Sequence, residues 1–238
     1  MTPYYQTELG KLYHGDCLEI MPMLEPVDLV LTDPPYENLM GGYKFKSGGV
    51  AKEIKTSKSF GNDWGANSNW YKFLPKTKGI IRYTSHSGMQ NCLNNQPGKL
   101  ILIGVWHKTN AHYGPPSTPH YSCEFYVGTY FESGLSWRDL KDILIESQDM
   151  GGCISRGERI RNKDGSNAHP TQKPMNVIMP LIMGGANIIL DPFLGSGTTA
   201  VACERLNRRW IGIEIEEKYC EIAAKRIEKE RSQLKLFT

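Results

Sequence analysis

The sequence of 238 residues lacks the marks of several protein classes. Its six cysteines stand singly with no CxxC pair, which argues against a disulfide framework and against a zinc site. No apolar run approaches the roughly 18 residues that a membrane span needs, and the opening Met1-Thr-Pro-Tyr-Tyr-Gln has no basic-then-apolar signal pattern. A net charge of only +3 excludes a wholly basic nucleic-acid arm. These absences predict a reduced, intracellular globular protein of one large domain, acting as an enzyme, a nucleic-acid binder or both.

Apolar runs of strand type alternate with helical patterns along the chain. Runs such as Ile188-Ile-Leu190 are continuous rather than alternating, which is typical of parallel strands buried on both faces by helices. The predicted strands are Leu12–His14, Asp28–Thr32, Gly79–Thr84, Leu100–His107, Tyr121–Tyr130, Asn187–Leu190 and Trp210–Glu214. Because Tyr121–Tyr130 alternates, we expect it to be an antiparallel edge strand. The predicted helices are Cys17–Leu24, Trp137–Glu146, Pro174–Met183, Thr198–Arg205 and Glu216–Arg231.

A glycine-rich turn, Asp191-Pro-Phe-Leu-Gly-Ser-Gly-Thr-Thr-Ala200, lies between a predicted strand and a predicted helix. Gly195 and Gly197 allow a tight turn and a close approach of a ligand to the backbone. The free N–H groups at the following helix start favour an anionic ligand group. The next strand ends in Glu214, whose carboxylate can accept hydrogen bonds from both ribose hydroxyls. This combination predicts a nucleoside cofactor in a Rossmann-like fold.

A second motif, Thr32-Asp-Pro-Pro-Tyr36, ends a predicted buried strand. Because a proline follows it, Asp33 is held out of helical geometry, and the two prolines stiffen the turn and remove two N–H donors. The Asp33 carboxylate and the Pro34 carbonyl can grip an amine while the ring of Tyr36 stacks on the flat group that carries it. Together with Pro35, these residues are the predicted catalytic set.

A third motif, His169-Pro-Thr-Gln-Lys-Pro174, precedes a predicted helix, and Pro174 suits a first helical position. The side chains of Thr171 and Lys173 can meet a carboxylate. Taken alone, this motif indicates little, and its meaning depends on the two motifs described above.

Together the three motifs resemble S-adenosylmethionine-dependent amino-methyltransferases of DNA, in the permuted (beta) group whose catalytic motif precedes the cofactor motif. The resemblance implies that Asp33-Pro-Pro-Tyr36 is catalytic, that Phe193-Leu-Gly-Ser-Gly197 binds the cofactor and that His169–Pro174 helps to hold its methionine part; His14-Gly-Asp-Cys17 also fits. It covers most of residues 12–36 and 169–227 and is weaker between them. The candidate cofactor-binding residues are Asp16, Cys17, Thr171, Lys173, Asp191, Phe193, Gly195, Ser196, Gly197, Thr198 and Glu214. No metal ligand is expected.

The order of the motifs predicts a circular permutation. If the glycine turn follows the first strand of the doubly wound unit and Glu214 ends the second, the third strand must come from the N-terminus. Leu12–His14 fits, and Asp16 just behind it would reach the cofactor adenine. The predicted fold is therefore α/β: a Rossmann-like, doubly wound, mostly parallel seven-stranded sheet with one antiparallel edge strand, in circularly permuted order. It brings Asp33 close to the glycine turn at the switch point.

The expected activity is methyl transfer from S-adenosylmethionine to the exocyclic amine of adenine in DNA, after the base is flipped out of the duplex. The N4 amine of cytosine is the alternative, since in the family Asp-Pro-Pro-Tyr accompanies mostly adenine and a Ser-Pro-Pro form mostly cytosine. An NAD-dependent oxidoreductase, which also uses glycine turns with an acid, and an inactive DNA-binding relic stay open as other classes.

We expect one catalytic domain over residues 1–238, with two irregular stretches as candidate target-recognition elements. The first, residues 37–69, is expected to be a mobile basic loop, since residues 37–82 hold nine Lys/Arg against three Asp/Glu. The second, residues 131–168, is a small insert that contains Arg156, Arg159 and Arg161. The expected partner is DNA and not a membrane; a homodimer and a companion restriction nuclease stay open.

Overall fold

The computed structural model describes residues 1–34, 44–47, 50–53, 70–84, 89–94, 97–108, 123–132, 135, 144–147, 160 and 172–234. The strands are β1 (Tyr5–Gln6), β2 (Gly10–His14), β3 (Val27–Thr32), β4 (Lys44–Ser47), β5 (Val50–Glu53), β6 (Thr77–Thr84), β7 (Lys99–Lys108), β8 (Cys123–Tyr130), β9 (Leu144–Ser147), β10 (Ile188–Asp191) and β11 (Arg209–Glu214). The α-helices are α1 (Cys17–Ile20), α2 (Met89–Asn94), α3 (Met175–Ile182), α4 (Thr198–Arg205) and α5 (Glu217–Leu234), and 3-10 turns span Met21–Met23 and Trp70–Phe73. Within these described ranges, no helix has both the length and the apolar character needed to cross a membrane.

Nine of the described strands form one sheet in the order β1-β2-β11-β10-β3-β6-β8-β7-β9. Neighbours from β2 to β6 are all parallel. Strand β8 runs antiparallel to both β6 and β7, and β1 runs antiparallel to β2. The Rossmann-like, mostly parallel sheet and its permuted order are therefore confirmed: the N-terminal strand β2 lies beside β11, and β3 lies beside β10.

Two details of the predicted sheet are wrong. The sheet has nine described strands rather than seven, because the short strands β1 and β9 add one pairing at each edge. The antiparallel strand β8 is not at the edge, because β7 pairs along its outer side. Alternation in 121–130 indicated a strand exposed on one face, but a strand's neighbours depend on pairings with distant segments that the local pattern does not contain.

Local boundaries differ in three places. The predicted helix Cys17–Leu24 is α1 followed by the 3-10 turn that contains Pro22, whose missing N–H interrupts the helical ladder. The prediction of a helix over Trp137–Glu146 is wrong at its C-terminal end, where β9 pairs with β7; residues 137–143 lie outside the described ranges. The reason is that a short apolar run does not distinguish a helix from a strand. Part of the predicted loop 37–69 is strand, because β4 and β5 pair antiparallel.

Helices and turns bury both faces of the sheet. Leu29 and Leu31 of β3 belong to a core cluster that includes residues of α3, α4 and α5. Val30, between them, points to the other cluster, with Ile20 of α1 and Trp70. Burial on both faces explains why β3 reads as a continuous apolar run, and it leaves the ends of the strands as the places where polar side chains collect.

Candidate active site

Four neighbouring parallel strands end at the same edge of the sheet, and each ends in or just before a candidate site residue. Strand β10 ends in Asp191 and β11 in Glu214, while β3 is followed by Asp33 and β2 by Asp16 two residues later. His14 of β2 pairs in register with Glu214. The structure therefore brings Asp33 and the described candidate cofactor residues together at the carboxyl edge, where open α/β sheets bind ligands.

The glycine turn of the sequence is a loop over residues 192–197, between β10 and α4, and is called the glycine loop below. It is closely packed against α5. Gly195 and Gly197 have φ angles of +55° and +85°, a region that side chains other than glycine rarely adopt. A Cβ added at Gly197 would lie 2.8 Å from the Cβ and 3.0 Å from the Cα of Ala223. Gly197 is also the N-cap of α4. The backbone at this turn thus requires glycine on two separate grounds, conformation and space.

Glu214 lies beside this loop with its carboxylate fixed by backbone groups. Its Oε2 accepts a hydrogen bond from the Gly195 N–H at 2.7 Å, and its Oε1 accepts one from the Glu216 N–H at 2.9 Å. Burial raises the pKa of Glu214 above its ordinary value of 4.5, while these hydrogen bonds lower it. Each carboxylate oxygen can accept a second hydrogen bond, so the residue fits a ribose diol while remaining held in place.

Arg226 of α5 also shapes the loop, and it was not predicted from the sequence. Its Nη1 donates to the carbonyl oxygen of Ser196 at 2.5 Å and lies 3.1 Å from the Oγ1 of Thr198. The signal was present, because Arg226 follows the buried Ala223 by three residues and therefore lies on the helix face that meets the loop.

Asp191 connects the end of β3 to the glycine loop through hydrogen bonds. Its Oδ1 accepts hydrogen bonds from the Thr32 hydroxyl at 3.0 Å and from the Phe193 N–H at 3.1 Å, and its Oδ2 accepts one from the Thr199 hydroxyl at 2.6 Å. Burial raises the pKa of Asp191 to about 6 in spite of these donors. Its carboxylate thus ties the residue before Asp33 to the start of α4, and a direct contact of Asp191 with the cofactor stays a prediction.

The remaining residues of the cofactor set lie around the same edge. Asp16 is the N-cap of α1 and its Oδ1 accepts from the Leu18 N–H at 2.8 Å. Cys17 behind it is buried, and burial raises the pKa of its thiol to about 12, so it acts as an apolar wall. The ring of Phe193 meets that of Trp70 edge-on, with centroids 5.7 Å apart. The predicted roles of Pro35, Tyr36 and Thr171 concern positions outside the described residues, as does His169.

Asp33 is bonded to a residue that the sequence assigned to the cofactor. The ammonium of Lys173 contacts Asp33 Oδ2, and it also lies 3.1 Å from Oε2 of Glu124, on β8. Burial lowers the pKa of Lys173, but the two carboxylates outweigh this and hold the pKa above 10.5. Glu124 was not predicted, because a single acid in an alternating strand carries no motif.

The fold and the arrangement of these residues are those expected of an S-adenosylmethionine-dependent methyltransferase. The glycine loop, the fixed acid of Glu214 and the N-terminus of α4 fit a nucleoside cofactor with a charged amino-acid tail. The predicted catalytic residue Asp33 follows β3, the strand beside β10.

Comparison with known proteins narrows the class. Residues 138–225 match the sequence model of the DNA methylases that act on N6 or N4 amines. The chain is 28% identical to the type II methyltransferase M2.DpnII of Streptococcus pneumoniae, over 96% of this chain and 93% of that protein. It is also 28% identical to the type II methyltransferase M2.LlaDCHI of Lactococcus lactis subsp. cremoris, over 95% and 92%. Over nearly its whole length, the chain is therefore similar to DNA amino-methyltransferases.

Solved structures of DNA methyltransferases superpose on this chain over most of its length. The M1.HpyAVI–SAM complex superposes with a TM-score of 0.63 at 25% identity, covering 91% of this chain and 99% of that one. The cytosine-N4-specific PvuII DNA methyltransferase superposes with a TM-score of 0.66, over 97% and 93% of the two chains. Its identity is 17%, so this second likeness concerns the fold alone.

Proposed function

We propose that this protein transfers a methyl group from S-adenosylmethionine to the exocyclic amine of adenine in DNA. The observation that carries the proposal is the position of Asp33. It follows β3, the strand beside β10, and β10 leads into the glycine loop. The hydrogen bond from Thr32 to Asp191 ties the two motifs together at 3.0 Å. A carboxylate beside a cofactor loop can hold an amine next to a methyl donor.

The chain's own residues supply the positioning of the amine. The lone pair of an exocyclic amine is conjugated into the base, which makes the nitrogen a poor nucleophile. Accepting its two N–H bonds at the Asp33 carboxylate and the Pro34 carbonyl would draw the nitrogen towards tetrahedral geometry, and Tyr36 would stack on the flipped base. When bound, S-adenosylmethionine supplies a methyl group activated by a positively charged sulfur. Holding the partners in attack geometry can contribute on the order of 7–11 kcal/mol.

Adenine is favoured over cytosine by the catalytic motif. The chain has an aspartate at the first position of Asp33-Pro-Pro-Tyr36, the form that the resemblance associates mostly with adenine. The N4 amine of cytosine is the alternative, and it presents the same NH2 group to the same acceptors. Only analysis of the methylated product distinguishes the two.

Sequence recognition falls to segments away from the parallel strands whose ends carry the site. The candidates are residues 37–69, which include the paired strands β4 and β5, and the insert 131–168, which contributes β9 to the sheet edge. The excess of lysine and arginine over residues 37–82 favours the first, because phosphate contacts dominate DNA affinity. Since its substrate is DNA, we place the enzyme in the cytoplasm of a bacterium or of a phage-infected cell.

The test is expression with a plasmid in a cell that lacks DNA methylation, followed by modification-sensitive sequencing. We expect N6-methyladenine at one short recurring sequence. The matched control is Asp33→Ala, which should leave the plasmid unmodified. N4-methylcytosine would select the alternative base, and an unmodified plasmid with the wild type would refute the proposal. Binding of NADH in preference to S-adenosylhomocysteine would move the protein to the oxidoreductase class.

A further inference from the structure

We propose that Lys173 and Glu124 are positioning residues for the Asp33 carboxylate: Glu124 holds the Lys173 ammonium, and the ammonium keeps Asp33 aligned and ionised to accept the target amine. The inference rests on the proposed function. It differs from the expectation that Lys173 holds the methionine carboxylate of the cofactor.

The three charged groups come from distant parts of the chain. Asp33 follows β3, Glu124 lies on β8, and Lys173 precedes α3; Lys173 and Asp33 are separated by 140 positions in sequence. The Lys173 side chain is only 6% exposed, whereas those of Asp33 and Glu124 are 23% and 18% exposed. The ammonium is therefore buried behind two carboxylates that reach the surface of the site.

The aromatic ring of Tyr83 restricts the position of the Lys173 ammonium further. The Lys173 ammonium lies 5.1 Å from the centroid of the Tyr83 ring, within the range of a cation–π interaction. The Tyr83 hydroxyl donates to the carbonyl oxygen of Val177 in α3 at 3.3 Å. Burial, reinforced by the nearby acids, raises the pKa of Tyr83 well above its ordinary value, so its ring remains neutral. The ammonium is thus enclosed by the two carboxylates and the face of a fixed ring.

The charge balance explains why a cation is needed. Among the described residues, Asp33 contacts the Lys173 ammonium, which also holds Glu124, and its charge acts on the buried Asp191 and on Tyr83. Without Lys173, Asp33 and Glu124 would lose the cation that they share, and the nearby like charges would favour protonation of one of these acids. A protonated carboxyl group carries a donor where the target amine needs an acceptor. Lys173 offsets this repulsion, so Asp33 stays a charged acceptor in a partly buried place.

Glu124 determines where the ammonium lies. A lysine side chain is long and flexible, and a single carboxylate would leave its ammonium free to follow a ligand. Held at 3.1 Å by Glu124 and bonded to Asp33, the ammonium occupies one position between the two acids. Glu124 thus acts on the reaction through Lys173 and not by touching the base.

The first measurement separates this role from cofactor binding. Calorimetric titrations compare S-adenosylmethionine with 5′-methylthioadenosine, which lacks the amino-acid tail, on the wild type and on Lys173→Met. We expect the ratio of the two affinities to change by less than about threefold, because the ammonium serves Asp33. A selective loss of S-adenosylmethionine affinity of tenfold or more would assign Lys173 to the cofactor carboxylate and overturn the proposal.

The second measurement is single-turnover methyl transfer as a function of pH. We expect Lys173→Met to lower the rate on the order of 100-fold, the scale of a small misplacement in a reacting pair, and to move its acidic limb to higher pH. Lys173→Arg should restore part of the rate because it keeps the charge, and Glu124→Gln should lower the rate about tenfold. In the double variant Lys173→Met/Glu124→Gln, the rate should be little lower than in Lys173→Met alone, because the effects of residues that act through one another are not additive.

The matched control is Lys78→Met. Lys78 pairs with Asp28 at 2.6 Å at the opposite end of β3, so its removal breaks an ion pair without touching the site. The rate of this variant should stay within about twofold of the wild type, and circular dichroism should show that every variant folds. Rates for folded Lys173→Met within twofold of the wild type would overturn the proposal.

A third measurement does not depend on methylation at all. In protein labelled with ¹³C at aspartate carboxyls, the Asp33 signal is assigned by its loss in Asp33→Asn and titrated with and without Lys173. We expect its pKa to rise in Lys173→Met and to remain at the wild-type value in Lys78→Met. An unchanged Asp33 titration refutes the role of Lys173, whereas a wild type that methylates no DNA refutes the proposed function and leaves this result standing.

Discussion

Replacing Gly197 by alanine tests the cofactor loop at its most restricted point. The residue has a φ of +85°, and adopting this left-handed region costs a residue with a Cβ roughly 1–2 kcal/mol. The new Cβ would also lie 2.8 Å from the Cβ of Ala223, closer than Cβ atoms approach one another, so α4 or α5 must shift. Overpacking of this kind costs about 1–3 kcal/mol. We therefore expect Gly197→Ala to lower the free energy of unfolding by about 2–5 kcal/mol.

The matched control is Gly185→Ala, since Gly185 has a φ of +92° but is exposed, in the turn three residues before β10 begins and so away from the glycine loop that follows it. It should lose only the conformational part, about 1–2 kcal/mol. Urea unfolding measures the free energy of unfolding of both variants. Calorimetry measures their affinity for S-adenosylmethionine, which Gly197→Ala should weaken and Gly185→Ala should leave unchanged. Equal losses of stability would refute the steric argument. Wild-type affinity in Gly197→Ala, or in the bulkier Gly197→Val, would refute the assignment of the loop to the cofactor.

Three further predictions concern the catalytic acid, the buried acid and the basic segment. Asp33→Ala should abolish methyl transfer and leave S-adenosylmethionine affinity within a few-fold, while Asp33→Asn keeps slight activity; wild-type turnover in Asp33→Ala would remove it from catalysis. Asp191 is buried with its pKa raised to about 6 from 3.8, so its protonated form favours folding below about pH 4 and roughly 3 kcal/mol of this is lost as the pH rises through 6. Unfolding titrations should show this dependence in the wild type but not in Asp191→Asn, and parallel curves would contradict it. Changing Lys52, Lys55 and Lys58 together to glutamine should flatten the slope of log DNA affinity against log salt by about 2–3 units without changing cofactor affinity; an unchanged slope would shift the phosphate contacts to the insert 131–168.

The positions of the motifs were readable from the sequence because each depends on local chemistry. The helix Thr198–Arg205 was predicted with the bounds that α4 has, since a glycine turn before it and helical residues within it determine both ends. The placement of Asp33 at the end of β3 follows from a buried apolar run that stops at a proline pair. Even the permuted strand order follows, because parallel connections in such sheets have few allowed arrangements.

The interior position of β8 was not readable in this way. Its alternation describes which face is exposed, whereas its neighbours β6 and β7 are determined by pairing across the whole sheet. The strand β9 was predicted as part of a helix for the same reason, since its four residues form a strand only because β7 offers an unpaired edge.

By itself the sequence determined the class of fold, the strand ends at which the candidate site residues lie and the position of the glycine loop, because spacing and residue type act over a few neighbouring positions. Tertiary structure alone decided which charged groups meet there. Lys173 lies in a segment that the sequence assigned to the cofactor, yet its ammonium contacts Asp33 and Glu124. Arg226 reaches the Ser196 carbonyl from a helix 30 positions away. Such contacts depend on the packing of β3, β8, α3 and α5 around one edge of the sheet. A long, flexible side chain can reach many positions, so its partners are determined by that packing and not by the neighbouring sequence.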